Sequence, residues 1–252
     1  MQNAEFAFYS EIPAYRQAGA IRNPNLKMTQ VIACSTQGGI VLAADSLATW
    51  FDPTGGMRHF NLMKILRLSS HSAMVSAGIG IGVELGLAFQ QFLQSRRVEG
   101  IEEIIRFAMP FFTDQYGKYL REKARDHSPP PMGMRGNHEE SFPLNGVYLI
   151  LAGYSFKDRH QPYHLRLLGN EEDGISIRIF PTSHIIVVPR SLSMERRLEG
   201  QCQGDSSLNP ILSLCKSFLK KRSAEEEVGP PFYFATITQV GFKEIMEEEV
   251  EG

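Results

Sequence analysis

Cysteine is scarce in this sequence of 252 residues, which contains three. Cys34, Cys202 and Cys215 are widely separated and form no C-x-x-C pair. Disulfide frameworks and zinc sites need denser patterns, so this spacing indicates reduced thiols in a cytosolic setting. Long apolar runs are lacking too, and residues 1–28 hold no continuous apolar segment of the kind found in secretory signals. We therefore expect a cytoplasmic protein with no membrane partner.

A basic excess is also missing, since the formal net charge is −2. Standing nucleic-acid partners need lysine and arginine to neutralise phosphates, so we expect no nucleic-acid binding. The chain is long enough for one domain with a substantial core, and 42% hydrophobic residues is ordinary for such a domain. We expect a leader or N-terminal extension at 1–28, a domain at 29–243 and an acidic tail at 244–252.

The segment from Thr29 to Ser46 carries the strongest local signal, because two runs rich in Val, Ile and Ala flank a glycine pair. This pattern predicts a β-hairpin. A two-residue loop at Gln37 and Gly38 would place Thr29 opposite Ser46, and a one-residue bulge would place it opposite Asp45. Either register brings a hydroxyl beside a carboxylate.

The remaining pattern predicts strands, two helices, more strands, a helix and a last strand. Trp50 to Phe60, which contains Asp-Pro-Thr-Gly-Gly, is predicted as a loop, as is the proline-rich stretch from 126 to 142. The predicted strands are 61–68, 73–77, 145–154, 162–168, 175–180, 184–188 and 232–239, and the predicted helices are 83–96, 101–125 with an interruption near Pro110, and 210–222. This order favours an α+β layered domain.

Four residues in this framework resemble the proteasome-type β-subunit family of N-terminal-nucleophile hydrolases. They are Thr29, Asp45 at the end of Leu42–Ser46, Lys64 within Met63-Lys64-Ile65, and Gly78 after Ser76-Ala77. The spacings from Thr29 to Asp45 and from Lys64 to Gly78 match the family. The Val228–Pro231 segment is similar to the bacterial Anbu-type proteasome-related proteins.

The resemblance implies a four-layer αββα sandwich, with two antiparallel sheets between helical layers. It also implies that Thr29, once it is the first residue of the chain, is both nucleophile and base through its α-amine. That amine titrates close to neutral pH, where a general base works best. Asp45 and Lys64 would activate Thr29, and the Gly78 amide at the start of a helix would form the oxyanion hole.

Further positions follow from the same resemblance. Supporting groups for the amine would come from Ser191, Ser193 or Glu225. Leu47 stands where the family usually carries arginine. The substrate pocket would be lined by uncharged side chains, which predicts cleavage after large apolar or aromatic residues. These pocket positions are Ala48, Thr49, Leu62, Leu66, Ser76 and Gly80.

We therefore expect a threonine-type endopeptidase acting on peptides or unfolded proteins through an acyl-enzyme. The resemblance implies a homo-oligomeric ring or similar assembly and neither a metal nor an organic cofactor, and it leaves any ATPase partner unknown. Two alternatives stay open: a catalytically silent scaffold subunit that keeps its leader, and an N-terminal-nucleophile amidase acting on a small amide.

Overall fold

The structure is a computed structural model that describes residues 29–51, 57–78, 80–125, 146–170, 176–181, 184–202, 207–224 and 228–250. Within these ranges the chain forms a mixed α/β fold. The strands are β1 (Val31–Ser35), β2 (Ile40–Ala44), β3 (Leu47–Phe51), β4 (Met57–Asn61), β5 (Ile65–Ser69), β6 (Ser72–Gly78), β7 (Val147–Tyr154), β8 (Tyr163–Asn170), β9 (Ile177–Phe180), β10 (Ile185–Val188), β11 (Tyr233–Thr238) and β12 (Gly241–Ile245). The α-helices are α1 (Ile81–Ser95), α2 (Ile101–Arg125), α3 (Leu192–Cys202) and α4 (Asn209–Ala224), and a short 3-10 helix spans Glu247–Glu249.

The described strands form three antiparallel sheets, so the prediction of two sheets is wrong. One five-stranded sheet has the order β10-β1-β2-β11-β12, the other has the order β5-β6-β7-β8-β9, and β3 and β4 form a separate pair. The extra pair lies where a loop was predicted from Trp50 to Phe60. The residue types at 52–56 are typical of turns, and they led to a loop prediction for the whole stretch. The flanking segments 47–51 and 57–61 contain aromatic residues, which favour strand structure.

The first hairpin forms in the register without a bulge. Val31 pairs with Ala44 and Ser35 with Ile40, which leaves a two-residue loop at Gln37 and Gly38. Gly39 follows this loop at a φ of 152°, and a Cβ there would lie 2.7 Å from the carbonyl oxygen of Ile237. A side chain would therefore push β11 away from β2. Continuing the register places Asp45 opposite Gln30 and Ser46 opposite Thr29.

Helix α2 runs without a break through Pro110, so the predicted interruption is wrong. Proline removes one helical hydrogen bond and costs about 3 kcal/mol inside a helix. Burial of Ile104, Ala108 and Phe112 on one side of the helix offsets that cost, because each is fully buried in the core. Tertiary packing thus overrides the local signal.

The described part of the C-terminal third contains three elements that the sequence pattern did not predict, which are α3, β12 and the 3-10 helix. Helix α3 follows β10 directly, and β12 pairs with β11 at the sheet edge. The predicted boundary between domain and acidic tail, at 243/244, falls inside β12. Beyond it, Lys216 of α4 donates hydrogen bonds to the carbonyls of Glu247 and Val250, and Val250 is 3% exposed. Residues 244–250 therefore pack against the domain.

In the part of the chain that the structure describes, the buried apolar residues fall into three clusters. The first joins β5–β9 to α1 and α2, through residues such as Met74, Phe89 and Phe112. The second draws on both five-stranded sheets, with Val31 and Leu42 from one and Val75 and Ile150 from the other. A third cluster joins β1, β2, β10 and β11 to α3 and α4. Strand β1 alternates between the second and third clusters, as a strand covered on both faces must.

No helix in the described ranges combines the length and the apolarity needed to cross a membrane.

Candidate active site

Three of the predicted residues, Thr29, Asp45 and Lys64, meet at the ends of β1 and β2. Thr29 lies two residues before β1 and Asp45 directly follows β2. Lys64 directly precedes β5, and its carbonyl accepts a hydrogen bond from the Ser76 amide of β6. The Lys64 ammonium is 3.2 Å from Thr29 Oγ1 and 2.7 Å from Asp45 Oδ1. A lysine from one five-stranded sheet thus links the hydroxyl and the carboxylate at the edge of the other.

The Asp45 carboxylate is completely buried and well supplied with donors. Oδ1 accepts hydrogen bonds from the Gln30 amide at 2.9 Å and from Lys64, and Oδ2 accepts one from the Leu47 amide at 3.1 Å. The Gly229 backbone also acts on this carboxyl group, since it opposes the rise that burial causes in the pKa of Asp45. A carboxylate removed from water needs such a set of donors, because an uncompensated buried charge costs several kcal/mol. These hydrogen bonds hold the Asp45 carboxylate next to the Lys64 ammonium.

The Lys64 ammonium has three donors and three acceptors around it. Besides Thr29 Oγ1 and Asp45 Oδ1 it donates to the Leu47 carbonyl at 2.7 Å. Only 3% of this lysine is exposed, so its long side chain is held in one position. Full use of the three N–H donors favours the charged form and directs one of them at the Thr29 hydroxyl.

Burial perturbs the titration of both charged partners. It lowers the pKa of Lys64 from its ordinary value, against the opposing attraction of Asp45. It also raises the pKa of Asp45, and there the opposing influences are Lys64 and the backbone donors. Both pKa shifts lower the free energy needed to remove a proton from the Lys64 ammonium, compared with an exposed lysine. The cluster is therefore suited to exchanging protons with a neighbouring hydroxyl or amine.

Two residues that the sequence did not single out support this cluster. Gln30 is 1% exposed, and its side-chain amide donates to the carbonyls of Val188 and Pro189 at 3.2 Å each. Ser46 is fully buried, and its single O–H is shared between Asn61 Oδ1 at 3.2 Å and the Gly229 carbonyl at 3.3 Å. Both flank predicted catalytic residues, which was the only signal for them. Their long-range partners tie the site to the end of β10, to β4 and to the segment that precedes β11.

Gly78 is the last residue of β6, and α1 begins three residues later at Ile81. The prediction that Gly78 starts a helix is therefore wrong, and Gly80 is the residue that caps α1. Gly78 adopts a φ of 91°, and a Cβ there would overlap the carbonyl oxygen of Gly146. Only glycine fits this turn out of the strand. Since β5 and β6 pair, Gly78 lies on the strand next to Lys64.

The predicted pocket residues with described side chains differ in their accessibility. Leu66 and Ser76 are 8% and 3% exposed and pack beneath α1, where they contact Gly86 and Gly82 respectively. Ala48 and Leu62 are half-buried, and Gly80 is exposed with no atom within 4 Å of where its Cβ would stand. Thr49 lies in β3, and its side chain is outside the described set. Accessible surface at the predicted pocket is thus found at Ala48, Leu62 and Gly80.

The candidate supporting residues lie apart from these contacts. Ser191 accepts a hydrogen bond from the Met194 amide at 3.4 Å and lies 3.2 Å from Ser193 Oγ, so the two serines serve the first turn of α3. Neither reaches Thr29 among the described hydrogen bonds. Glu225 lies outside the described residues, as does the predicted leader at 1–28.

The described part of the chain contains no group of three His, Cys, Asp or Glu side chains placed to hold a metal ion. The chemistry visible in the cluster is that of a hydroxyl, an ammonium and a carboxylate in one hydrogen-bonded row. Comparison with models of known protein families and with curated proteins finds no match for this chain.

Proposed function

We propose that this protein is a proteasome-type threonine peptidase in which Thr29 attacks the carbonyl carbon of a peptide bond. The observation that carries the proposal is the Lys64 ammonium, which is buried and touches both Thr29 Oγ1 and Asp45 Oδ1. A buried ammonium needs three acceptors, and a carboxylate and backbone carbonyls would satisfy it in a purely structural role. Here one of its donors is directed to a half-buried threonine hydroxyl at the entrance of β1.

The fold that accompanies this function is the four-layer αββα sandwich of N-terminal-nucleophile hydrolases. Support comes from the three apolar clusters, in which the middle one draws on both five-stranded sheets and the outer two each join a sheet to a pair of helices. The β3–β4 hairpin is an addition to that arrangement. A homo-oligomeric ring in the cytoplasm belongs to the same proposal, as does a peptide or unfolded-protein substrate.

The reaction begins with transfer of the Thr29 hydroxyl proton to a base, which is the α-amine when Thr29 is the first residue of the chain. Oγ1 then bonds to the substrate carbonyl carbon, and negative charge develops on the carbonyl oxygen. Lys64 lowers the energy of the alkoxide by donating to Oγ1, and its positive charge holds down the pKa of the adjacent amine. Asp45 holds Lys64 in place.

The tetrahedral intermediate then collapses. The carbon–nitrogen bond of the peptide breaks, the departing amine takes the proton from the base, and the acyl group stays on Oγ1 as an ester. Water attacks the ester in the same way and releases the acid. The Gly78 amide is proposed as the donor to the oxyanion in both steps, and one such donor contributes about 3–4 kcal/mol of transition-state stabilisation in other hydrolases.

The first test concerns the start of the active chain. Thr29 follows Met28, and we expect active protein to begin at Thr29, either through translation from Met28 with removal of that methionine or through cleavage of the Met28–Thr29 bond. An amine locked in a peptide bond cannot act as a base, so N-terminal sequencing and intact mass should find free Thr29 in the active fraction. Activity in chains that all retain residue 1 would refute this assignment.

The catalytic assignment has its own direct test. Brief incubation with a peptide ester or amide, followed by acid quench and peptide mapping, should find the acyl group on Thr29. An acyl group on any other residue would overturn the proposal. Folded protein that keeps its leader and gives no acyl adduct with any peptide in a broad panel would instead be a silent scaffold subunit, and protein that begins at Thr29 and gives no adduct would overturn the proposal.

A second prediction concerns the pocket. A fluorogenic peptide panel should show faster turnover after leucine, phenylalanine or tyrosine than after arginine or glutamate, because a buried substrate charge would find no ion partner among the uncharged pocket residues. Gly80→Leu should place a side chain in this space and raise KM for the large apolar substrates at least about tenfold, the loss expected from about 1.4 kcal/mol of apolar contact.

The matched control is Gly200→Leu. Gly200 lies in α3, and it too has no atom within 4 Å of the position its Cβ would take. Leucine should therefore fit at both positions without disturbing the fold, and only Gly80→Leu should affect substrate preference. Equal effects of the two substitutions, or a preference for charged residues in the wild type, would refute the pocket assignment while leaving the catalytic one standing.

A further inference from the structure

A pair of thiols lies on the opposite side of β1 from the second apolar cluster. Cys34 belongs to β1 and is fully buried, and Cys202 is the last residue of α3 and is half-buried. Their sulfur atoms are 3.1 Å apart, although the cysteines are 168 positions apart in sequence. Both belong to the apolar contacts that join β1 to α3 and α4. Folding therefore brings together two thiols that nothing in the local sequence pairs.

The separation is short enough for covalent chemistry after a small movement. A disulfide bond is about 2.05 Å long, so the sulfur atoms need to approach by about 1 Å. Cys202 terminates its helix, where the backbone has fewer helical hydrogen bonds to break than in the middle. Movement of Cys202 would therefore bring the sulfur atoms together without displacing β1, which is hydrogen-bonded to a strand on each side.

The two thiols have unequal reactivity. A hydrogen bond from the Cys34 thiol lowers the pKa of Cys202, against the opposing effect of burial. The same hydrogen bond, reinforced by burial, raises the pKa of Cys34. Thiolate is the reactive form of cysteine, and it must also be reached by the oxidant. The lowered pKa favours the Cys202 thiolate and its partial exposure admits an oxidant, whereas the buried Cys34 lies 3.1 Å from it and is placed to react second.

The third cysteine provides an internal comparison. Cys215 is fully buried on α4, and burial raises its pKa. It lies in the same apolar cluster as the other two, so the packing around it is similar. What it lacks is exposure to a dissolved oxidant, which makes it the natural control residue.

We propose that Cys202 is a hydroperoxide-oxidised thiol and that Cys34 is its resolving partner. The Cys202 thiolate attacks the terminal oxygen of the hydroperoxide, the O–O bond breaks, and the products are a sulfenic acid and, after protonation of the leaving oxygen, water or an alcohol. The Cys34 sulfur then attacks the sulfenic sulfur, and the S–O bond breaks to release water. Two thiols are oxidised by two electrons and the hydroperoxide is reduced by two.

This modification site is independent of the proposed peptidase reaction. It uses the face of β1 turned toward α3 and α4, whereas Thr29 and Lys64 meet at the end of the strand. A reducing thiol would restore the starting state. The chain would thus carry a reversible covalent link between β1 and the C-terminal end of α3.

The experiment uses the purified, fully reduced protein as it exists in its native assembly. Treatment with one equivalent of hydrogen peroxide, alkylation of remaining thiols and nonreducing peptide mapping should recover a Cys34–Cys202 linked peptide. The protein should lose the mass of two hydrogen atoms and regain it with dithiothreitol. Cys215→Ser should give the same linked peptide in the same yield.

Two variants separate the roles of the partners. Cys202→Ser should abolish disulfide formation and leave Cys34 unoxidised. Cys34→Ser should leave Cys202 as a sulfenic acid that dimedone captures; if this variant fails to fold, the wild-type peptide map alone decides. A disulfide involving Cys215, a bond between Cys202 residues of two chains, or no disulfide at an excess of peroxide would each overturn the proposal.

Discussion

Thr29→Val should abolish peptide hydrolysis while leaving the protein folded and assembled. Valine has nearly the shape of threonine but carries a methyl group where Oγ1 stands, so it removes the nucleophile and changes little else. It also removes the acceptor of the hydrogen bond that Lys64 donates to Oγ1. Loss of a catalytic nucleophile typically costs on the order of 10⁶ in kcat in a well-studied serine protease, and we expect at least about a thousandfold here. Thr29→Ala should behave in the same way.

Thr238→Val is the matched control for this substitution. Thr238 is also half-buried at the end of a strand, and its hydroxyl accepts a hydrogen bond from the Val240 amide at 3.2 Å. The hydrogen bond from the Lys64 ammonium to Thr29 is charge-assisted and worth about 1.5–3 kcal/mol, whereas the one from the Val240 amide to Thr238 joins neutral groups and is worth about 1 kcal/mol. Fluorogenic turnover should disappear for Thr29→Val alone, and Thr29→Val should lower the melting temperature somewhat more than Thr238→Val, because it removes an acceptor from a buried ammonium. Thr29→Ser should keep measurable turnover, because it retains the hydroxyl.

Near-normal turnover of Thr29→Val would remove Thr29 from the mechanism, and its hydrogen bond with Lys64 would then be structural. A variant that failed to assemble would point to a different role, since Thr29 would then hold subunits or sheets together. Size-exclusion chromatography alongside the assay distinguishes these outcomes.

The position of Asp45 one residue pair away from Thr29 was predictable, because it depends on local pairing. A hairpin loop of two residues determines which residues lie opposite one another, and the sequences of β1 and β2 are both typical of strands. The β5–β6 and β7–β8 strands were predicted for the same reason, from alternating apolar residues. Lys64 is different. Its meeting with Asp45 joins two sheets, and only the resemblance to a family supplied it.

The elements that were missed share a physical cause. Helix α3 begins with Leu192-Ser193-Met194, where an exposed leucine obscures the helical period, and only Met194 and Leu198 are buried. Its stability comes from packing against β10 and α4, which local propensity does not encode. The β3–β4 pair was predicted as a loop because the residues between the two strands are typical of turns. Contacts of Gln30 with Val188 and Pro189 likewise depend on a strand more than a hundred residues away.

Lys64→Met should remove both activity and a large part of the stability. Methionine keeps an unbranched apolar side chain but offers no donor to Asp45, which is fully buried. Removing one member of a buried ion pair costs about 3–5 kcal/mol, because the remaining charge is left without compensation. Chemical denaturation should report this loss, and turnover should fall about as far as in Thr29→Val. The Thr29→Val/Lys64→Met double variant should be no slower than either single variant, since the two residues act as a unit.

The activity loss in Lys64→Met must be separated from its loss of stability. The double variant Asp45→Asn/Lys64→Met removes the buried charge together with its partner, so it should recover most of the stability, as replacement of buried ion pairs often does. Its turnover should remain abolished. Recovery of activity together with stability would show that Lys64 and Asp45 hold the fold and take no part in the chemistry.

The pH dependence of stability gives an independent reading of the same pair. Burial already raises the pKa of Asp45, and the Lys64 ammonium opposes that rise, so its loss in Lys64→Met should raise the pKa further. A carboxyl group with a raised pKa binds more protons in the folded state than in the unfolded state. Stability therefore falls as pH rises from the unfolded pKa toward the folded pKa, and it is regained in acid. Unfolding measured across this range should show that slope in Lys64→Met and lose it in Asp45→Asn/Lys64→Met; equal slopes in the two variants would mean that Asp45 is not the buried charge responsible.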